Sequence, residues 1–242
     1  GCTDIFRGHV VRPHSWPYMA AIQDNNLRVF CGGTLVGKQW VLTAAHCKLD
    51  NLKARVVLGA HRASIAEKEQ QIFQIMCSFP HPQFNKSSGD NDIMLLKLND
   101  TAKLNKYVQL LPLPASFEDV EPGTLCQVAG WGLKSSSSSG KPSKYLRATT
   151  LKIVDRKSCN AKYANNPKIT SNMLCAVGKR KLFHSDACKG DSGGPLVCAC
   201  QFRGIVSFGE RCDKKGKPGV YTRLTEKHIN WIKGKISRNG DP

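Results

Sequence analysis

Cys188-Lys189-Gly190-Asp191-Ser192-Gly193-Gly194-Pro195 is the stretch on which the reading of this chain turns. Serine is a poor nucleophile at its ordinary pKa, so a reactive serine needs an adjacent base and a place for the developing oxyanion. Glycines on both sides of Ser192 suit that task. Lacking a Cβ, they allow unusual dihedrals and let a substrate backbone come close. The N–H groups of Gly190 and Ser192 are then free to point at one carbonyl oxygen. Asp191 is odd in a nucleophile loop, unless a buried cation is waiting for it.

The bulk properties bound the rest. At 242 residues the chain can bury a sizeable core as one all-β domain. No apolar run approaches the ~18 residues of a transmembrane helix, so no membrane anchor is expected. Eleven cysteines, scattered rather than set at metal spacing, point to an oxidising secretory compartment. The net charge is +18, from 36 Lys and Arg against 18 Asp and Glu, which favours polyanionic partners. The cations come in small clusters: Lys179-Arg180-Lys181, Lys214-Lys215 with Lys217, and Lys233 with Lys235 and Arg238. No interleaved aromatics accompany them, so a specific nucleic-acid partner is not expected.

From Trp16 to Leu58 the chain reads as short strands: Tyr18 to Ile22, Phe30-Cys31, Gly33 to Val36, and Trp40 to Leu42. Leu42-Thr43-Ala44-Ala45-His46-Cys47 follows them. Further on, Asn91-Asp92-Ile93-Met94-Leu95-Leu96-Lys97-Leu98 sets a carboxylate at the mouth of an apolar strand. Such a carboxylate is costly to bury without a donor, and an imidazole N–H supplies one. Thr225 to Ser237 carries Ile229, Ile232 and Ile236 at helical spacing, with Thr225 placed as N-cap. The other six histidines, at 9, 14, 61, 81, 184 and 228, read as surface or hydrogen-bonded residues. Ser135 to Ser139 reads as an exposed loop that cannot pack a core.

Together these motifs resemble the chymotrypsin-like serine proteases, and the resemblance runs from Ile5 onward. It implies two six-stranded antiparallel β-barrels packed face to face, with a C-terminal α-helix. The first barrel would span about 16–110, the second about 120–224 and the helix about 225–237, joined by a connector around Leu111-Pro112-Leu113-Pro114. The implied catalytic residues are His46 as base, Asp92 as its partner and Ser192 as nucleophile, with Gly190 and Ser192 as oxyanion hole. Asp186, six residues before Ser192, falls where trypsin-like members keep the carboxylate that binds Arg or Lys. Gly209 and Gly219 match the glycines that leave that pocket open, and Ser207 and Phe208 line the strand that pairs with substrate. Gly89 falls where the family shapes the next pocket, which should be roomy. The base must be neutral to act, so activity should fall as pH drops through roughly 6–7.

The same resemblance makes Ile5-Phe6-Arg7-Gly8 a new N-terminus formed on activation, with the Ile5 ammonium pairing with Asp191. Thr3-Asp4 would be an activation dipeptide and Gly1-Cys2 the tail of a signal peptide. Eight cysteines would pair as Cys31–Cys47, Cys126–Cys198, Cys159–Cys175 and Cys188–Cys212. Cys2, Cys77 and Cys200 are left over: Cys2 would go with processing, and Cys77 and Cys200 would be free or one of them bridged between molecules. No cofactor is implied, and no metal, since the first calcium ligand of the family's loop would fall on Ala60. Asn85 and Asn99 head glycosylation sequons. Arg7 and Arg211 stand where the family usually has glycine.

In Leu104-Asn105-Lys106-Tyr107-Val108, Pro122 to Gly132 and Lys227-His228-Ile229-Asn230-Trp231-Ile232 the chain is similar to granzymes of the A and K type, the tryptic granule proteases. That implies a secretory-granule and extracellular protein with protein substrates, macromolecular inhibitors and acidic proteoglycan as partners. The granzyme A dimer is not carried over, because Pro80-His81-Pro82-Gln83-Phe84 lacks its cysteine. The rival reading is a catalytically silent, basic homologue that binds polyanions and acts in defence or signalling. An intact set of His46, Asp92, Ser192 and Asp186 argues against it.

Overall fold

The apolar runs after Trp16 become strands of a closed barrel. β2 (Met19–Gln23), β3 (Val29–Gly37), β4 (Trp40–Thr43), β5 (Arg55–Leu58), β6 (Gln71–Pro80) and β7 (Met94–Leu98) follow the order β2-β3-β4-β7-β6-β5, antiparallel throughout. Closure leaves no unpaired strand edge. The structure is a computed structural model and describes residues 9–49, 53–132, 143–178, 191–209 and 217–240.

A second set of six strands closes on itself. β8 (Leu125–Gly130), β9 (Arg147–Val154), β10 (Met173–Gly178), β11 (Pro195–Cys198), β12 (Gln201–Phe208) and β13 (Gly219–Arg223) run β9-β10-β13-β12-β11-β8, with β8 pairing back to β9. The two-barrel architecture is therefore the one the sequence implies. Among the described residues one strand crosses over: β1 (His9–Val10) pairs with β9 of the second barrel.

Two helices complete the described fold. α2 (Glu226–Arg238) is the expected C-terminal helix. Thr225 caps it by accepting the His228 N–H, and Ile229 and Ile232 are buried. α1 (Arg156–Lys162) was not anticipated. It starts at Asp155, whose carboxylate accepts the Ser158 N–H at 2.8 Å, and seven residues are too few to show periodicity.

Strand β3 runs unbroken through Gly32, where the sequence suggested an interruption. The glycines there mark close approach rather than a turn. A Cβ on Gly32 would lie 3.4 Å from the Gly194 Cα, and one on Gly33 would lie 2.7 Å from Val41 Cγ1. The largest apolar cluster joins Leu35, Trp40 and Leu42 of the first barrel to Val197, Phe202 and Ile205 of the second. Trp131 closes the seam, donating its Nε1–H to the His61 carbonyl at 3.1 Å.

Three disulfides match the implied pairing: Cys31–Cys47, Cys126–Cys198 and Cys159–Cys175. Cys188 and Cys212 lie outside the described residues, as do Cys2 and the serine run. Cys77 is free and exposed. Cys200, left open in the sequence reading, is disulfide-bonded. It sits with Ala199 at the exposed, left-handed turn between β11 and β12.

Candidate active site

The site forms where the ends of the two barrels meet. β4 ends at Thr43, and the chain turns so that the Cys47 N–H reaches the Ala44 carbonyl at 3.1 Å. The Cys31–Cys47 disulfide fixes the far side of this turn. His46 is thereby presented at the barrel end, its side chain 35% exposed.

Asp92 enters from the start of β7. It is the middle of a three-residue turn, since the Ile93 N–H donates to the Asn91 carbonyl at 2.8 Å. Its side chain is only 2% exposed, so an ionised carboxylate here needs donors. Three supply them. The His46 N–H donates to Oδ1 at 2.9 Å, His46 Nδ1 lies 2.6 Å from Oδ2, and the Ser207 hydroxyl donates to Oδ2 at 2.6 Å. A carboxylate can only accept, so Nδ1 carries the proton and Nε2 is left as the basic nitrogen. The Asp92 main-chain carbonyl is held in addition by the Thr222 hydroxyl at 2.9 Å.

The nucleophile loop docks against the same barrel end. The Gly32 N–H donates to the Ser192 carbonyl at 2.8 Å, and the Gly193 N–H donates to the Val206 carbonyl at 2.8 Å. Gly193 has φ +87, a conformation that favours glycine. Asp191 points inward at 1% exposure, with Oδ1 accepting the Gly132 N–H at 2.8 Å. Gly130 is required beside it, because a Cβ there would fall 1.8 Å from Asp191 Oδ1. Among the described residues no hydrogen bond joins the Ser192 hydroxyl to His46; such contacts are often long until substrate binds.

The end of β12 forms one wall. Ser207 is buried against Asp92, Phe208 is half-buried and Gly209 is exposed. Gly209 and Gly219 face each other, a Cβ on the former lying 3.4 Å from the Cα of the latter. Gly89 abuts Phe208, with a Cβ built there 2.6 Å from Phe208 Cε1. The glycine thus makes room for the aromatic ring. Tyr163 meets the same ring edge-on at 6.0 Å. Ile5, Asp186, Gly190, Arg7 and Arg211 lie outside the described residues. Among the described residues no cluster of His, Cys, Asp or Glu is arranged to hold a metal ion.

Sequence reasoning missed Thr222, Gly32, Gly132 and the contact of Asn91 with His228. Each acts through a backbone group or across elements distant in sequence, so no local pattern marks them.

A buried aspartate–histidine pair between two antiparallel barrels, with a Gly-flanked serine docked beside it, defines the chymotrypsin class of serine protease. The sequence profile described as Trypsin matches residues 5–232. The chain is 43% identical to Granzyme A of Bos taurus over 238 residues, covering 98% of this chain and 89% of that protein. It is 41% identical to Trypsin-3 of Salmo salar over 239 residues (97% and 94%) and 40% identical to Trypsin of Sus scrofa over 235 residues (97% and 96%). The chain belongs to the trypsin family and is a serine endopeptidase acting on protein substrates.

Proposed function

We propose that this endopeptidase cuts after Arg or Lys, is activated by cleavage before Ile5, and serves as an immune granule effector of the granzyme type. The observation that carries the catalytic assignment is the 2.6 Å contact of His46 Nδ1 with the buried Asp92 carboxylate, beside the docked Ser192 loop.

In this reading Ser192 Oγ attacks the scissile carbonyl carbon while His46 Nε2 takes its proton. Asp92 holds the imidazole in the required tautomer and stabilises the imidazolium. The N–H groups of Gly190 and Ser192 hold the oxyanion, each such donor being worth about 2.7–4 kcal/mol. His46 then protonates the leaving amine, and water repeats the sequence on the acyl-enzyme.

The specificity reading rests on Asp186 in sequence and on the opposed glycines 209 and 219, with trypsins among the relatives. Desolvating a cationic side chain is costly without an opposite charge, so neutral residues are rejected. The activation reading is supported by Asp191, whose carboxylate is too deeply buried to persist without strong partners. Similarity to Granzyme A of Bos taurus supports the granule role, and the +18 charge supports storage on acidic proteoglycan. Asn85 and Asn99 are exposed, as glycan acceptors must be.

The test removes residues 1–4 and measures hydrolysis of short Arg, Lys, Phe and Asp peptides. Cleavage confined to Arg and Lys, abolished by Asp186→Asn, is expected. Cleavage only after Phe or Asp overturns the specificity, and equal activity with residues 1–4 retained overturns the activation. Salt-labile heparin binding that survives Ser192→Ala is the expected sign of storage, whereas salt-insensitive binding contradicts it.

A further inference from the structure

Asp90, Asn91 and Asp92 are consecutive, yet each is held by a different part of the fold. Asp90 Oδ1 accepts from Thr170 Oγ1 at 2.9 Å and Asn172 Nδ2 at 3.3 Å, in the loop before β10. Asp92 is held by His46, Ser207 and Thr222. Asn91, between them, is held by α2: its Oδ1 lies 2.9 Å from His228 Nε2, while its Nδ2 donates to the Gln83 carbonyl at 3.2 Å.

Asn91 suits its place in the turn. Its φ is +53, in the left-handed region that asparagine tolerates better than most residues. Its carbonyl also takes the Ile93 N–H and so closes the turn with Asp92 at its centre. Any rotation of Asn91 therefore swings the Asp92 carboxylate relative to the imidazole of His46.

The partners of Asn91 set the direction of its hydrogen bond with His228. Asn91 Nδ2 faces a carbonyl, so Oδ1 faces the ring and Nε2 must donate; the assignment comes from these acceptors rather than from visible hydrogens. Nδ1 faces the Thr225 hydroxyl at 3.2 Å and the Thr225 N–H at 3.4 Å. The Arg223 carbonyl, 2.8 Å from Nδ1, competes for the opposite tautomer. The ring is buried at 1% exposure, and the other titratable or charged groups facing it are His81, Asp90 and Arg223. Nothing in the proteolytic cycle described above uses it.

We propose that His228, donating from Nε2 to Asn91, is a positioning residue for the proteolytic reaction, setting Asp92 against His46 through Asn91 from outside the substrate cleft. The proposal rests on the assignment of His46 and Asp92 to the triad.

The test uses the full activated protein and an Arg peptide. His228→Leu removes the donor, His228→Gln retains a nitrogen able to reach Asn91, and Asn91→Ala removes the acceptor. His228→Leu is expected to lower kcat on the order of tenfold with little change in KM, the scale of a misaligned catalytic group. The acid limb of its kcat/KM profile moves to lower pH, because a displaced carboxylate stabilises the imidazolium less. His228→Gln restores most of kcat, and the double variant with Asn91→Ala loses no more than the worse single one. A folded His228→Leu with unchanged kcat and acid limb overturns the proposal. So do additive losses, or a folded His228→Gln as impaired as Leu. If the Leu variant does not fold, His228→Gln and Asn91→Ala decide: the former near full kcat and the latter reduced, or the proposal falls. Failure of the triad itself shows separately, as Asp92→Asn and His46→Ala retaining activity.

Discussion

Gly193 and Thr43 lie so close that a Cβ built on the glycine would fall 2.1 Å from the Thr43 hydroxyl oxygen. The same Cβ would lie 2.4 Å from the Gly32 carbonyl, which is backbone and cannot move aside. With φ at +87, alanine is also disfavoured on its own account, by about 1–2 kcal/mol. Gly193→Ala is therefore expected to push the Ser192 loop off β3 and β4. Activity should fall at least 100-fold, with a melting temperature lower by several degrees. Thr43→Ser should not rescue it, since the hydroxyl and the carbonyl both remain. Hydrolysis rates and thermal melts of the two variants check this, and a Gly193→Ala enzyme of normal rate would contradict the packing.

Gly130 makes the complementary prediction for Asp191. Its added Cβ would meet Asp191 Oδ1 at 1.8 Å, far inside van der Waals contact, so the carboxylate must leave. The departing group would release the Gly132 N–H and carry the neighbouring serine with it. Gly130→Ala should thus be soluble and inactive toward every peptide, with active-site titration showing no reactive serine. Retained burst labelling by a serine-directed reagent would show that Asp191 does not shape the loop.

The disulfides separate stability from catalysis. Cys31–Cys47 spans 16 residues and Cys126–Cys198 spans 72, so chain entropy assigns about 3 and about 4 kcal/mol respectively. Yet Cys47 follows His46 directly, whereas Cys126 and Cys198 face each other within the β8–β11 ladder. Replacing Cys31 and Cys47 by Ser should cost the smaller stability and the larger share of kcat/KM. Denaturant midpoints and kinetics on both double variants test the order. The reverse order in kcat/KM would mean that the bridge does not position the histidine turn.

The order His46, Asp92, Ser192 was legible because each residue sits in a local motif whose chemistry has few other uses. The barrels were legible because their strands are short, apolar and punctuated. Gly32 misled because a strand glycine that admits a neighbouring backbone looks the same in sequence as one that makes a turn. At Gly89 the sequence shows the missing side chain, but not the Phe208 ring packed against it. The grip on Asp92 from Thr222, and on Asn91 from His228, spans 130 and 137 residues, and only the folded chain brings them together.

Acid should weaken the fold before it protonates the carboxylates. Burial pushes the His228 imidazole down to about 4, outweighing the Arg223 carbonyl and the Asp90 charge that favour its protonation. Burial also holds His61 and His81 below the ordinary histidine range, against the pull of Glu67 and Asp90 respectively. An unfolded histidine binds its proton near 6.5, so for His228 between about 6.5 and 4 the unfolded chain holds a proton that the folded one refuses. The stabilisation is complete above that window and is lost as pH falls through it. For His228 alone the shift corresponds to about 3 kcal/mol at most. Urea midpoints should accordingly drop steeply from pH 7.5 to 5.0 and less steeply in His228→Gln, which has no proton to take up. Equal slopes in the two proteins would mean that His228 is charged in the folded state.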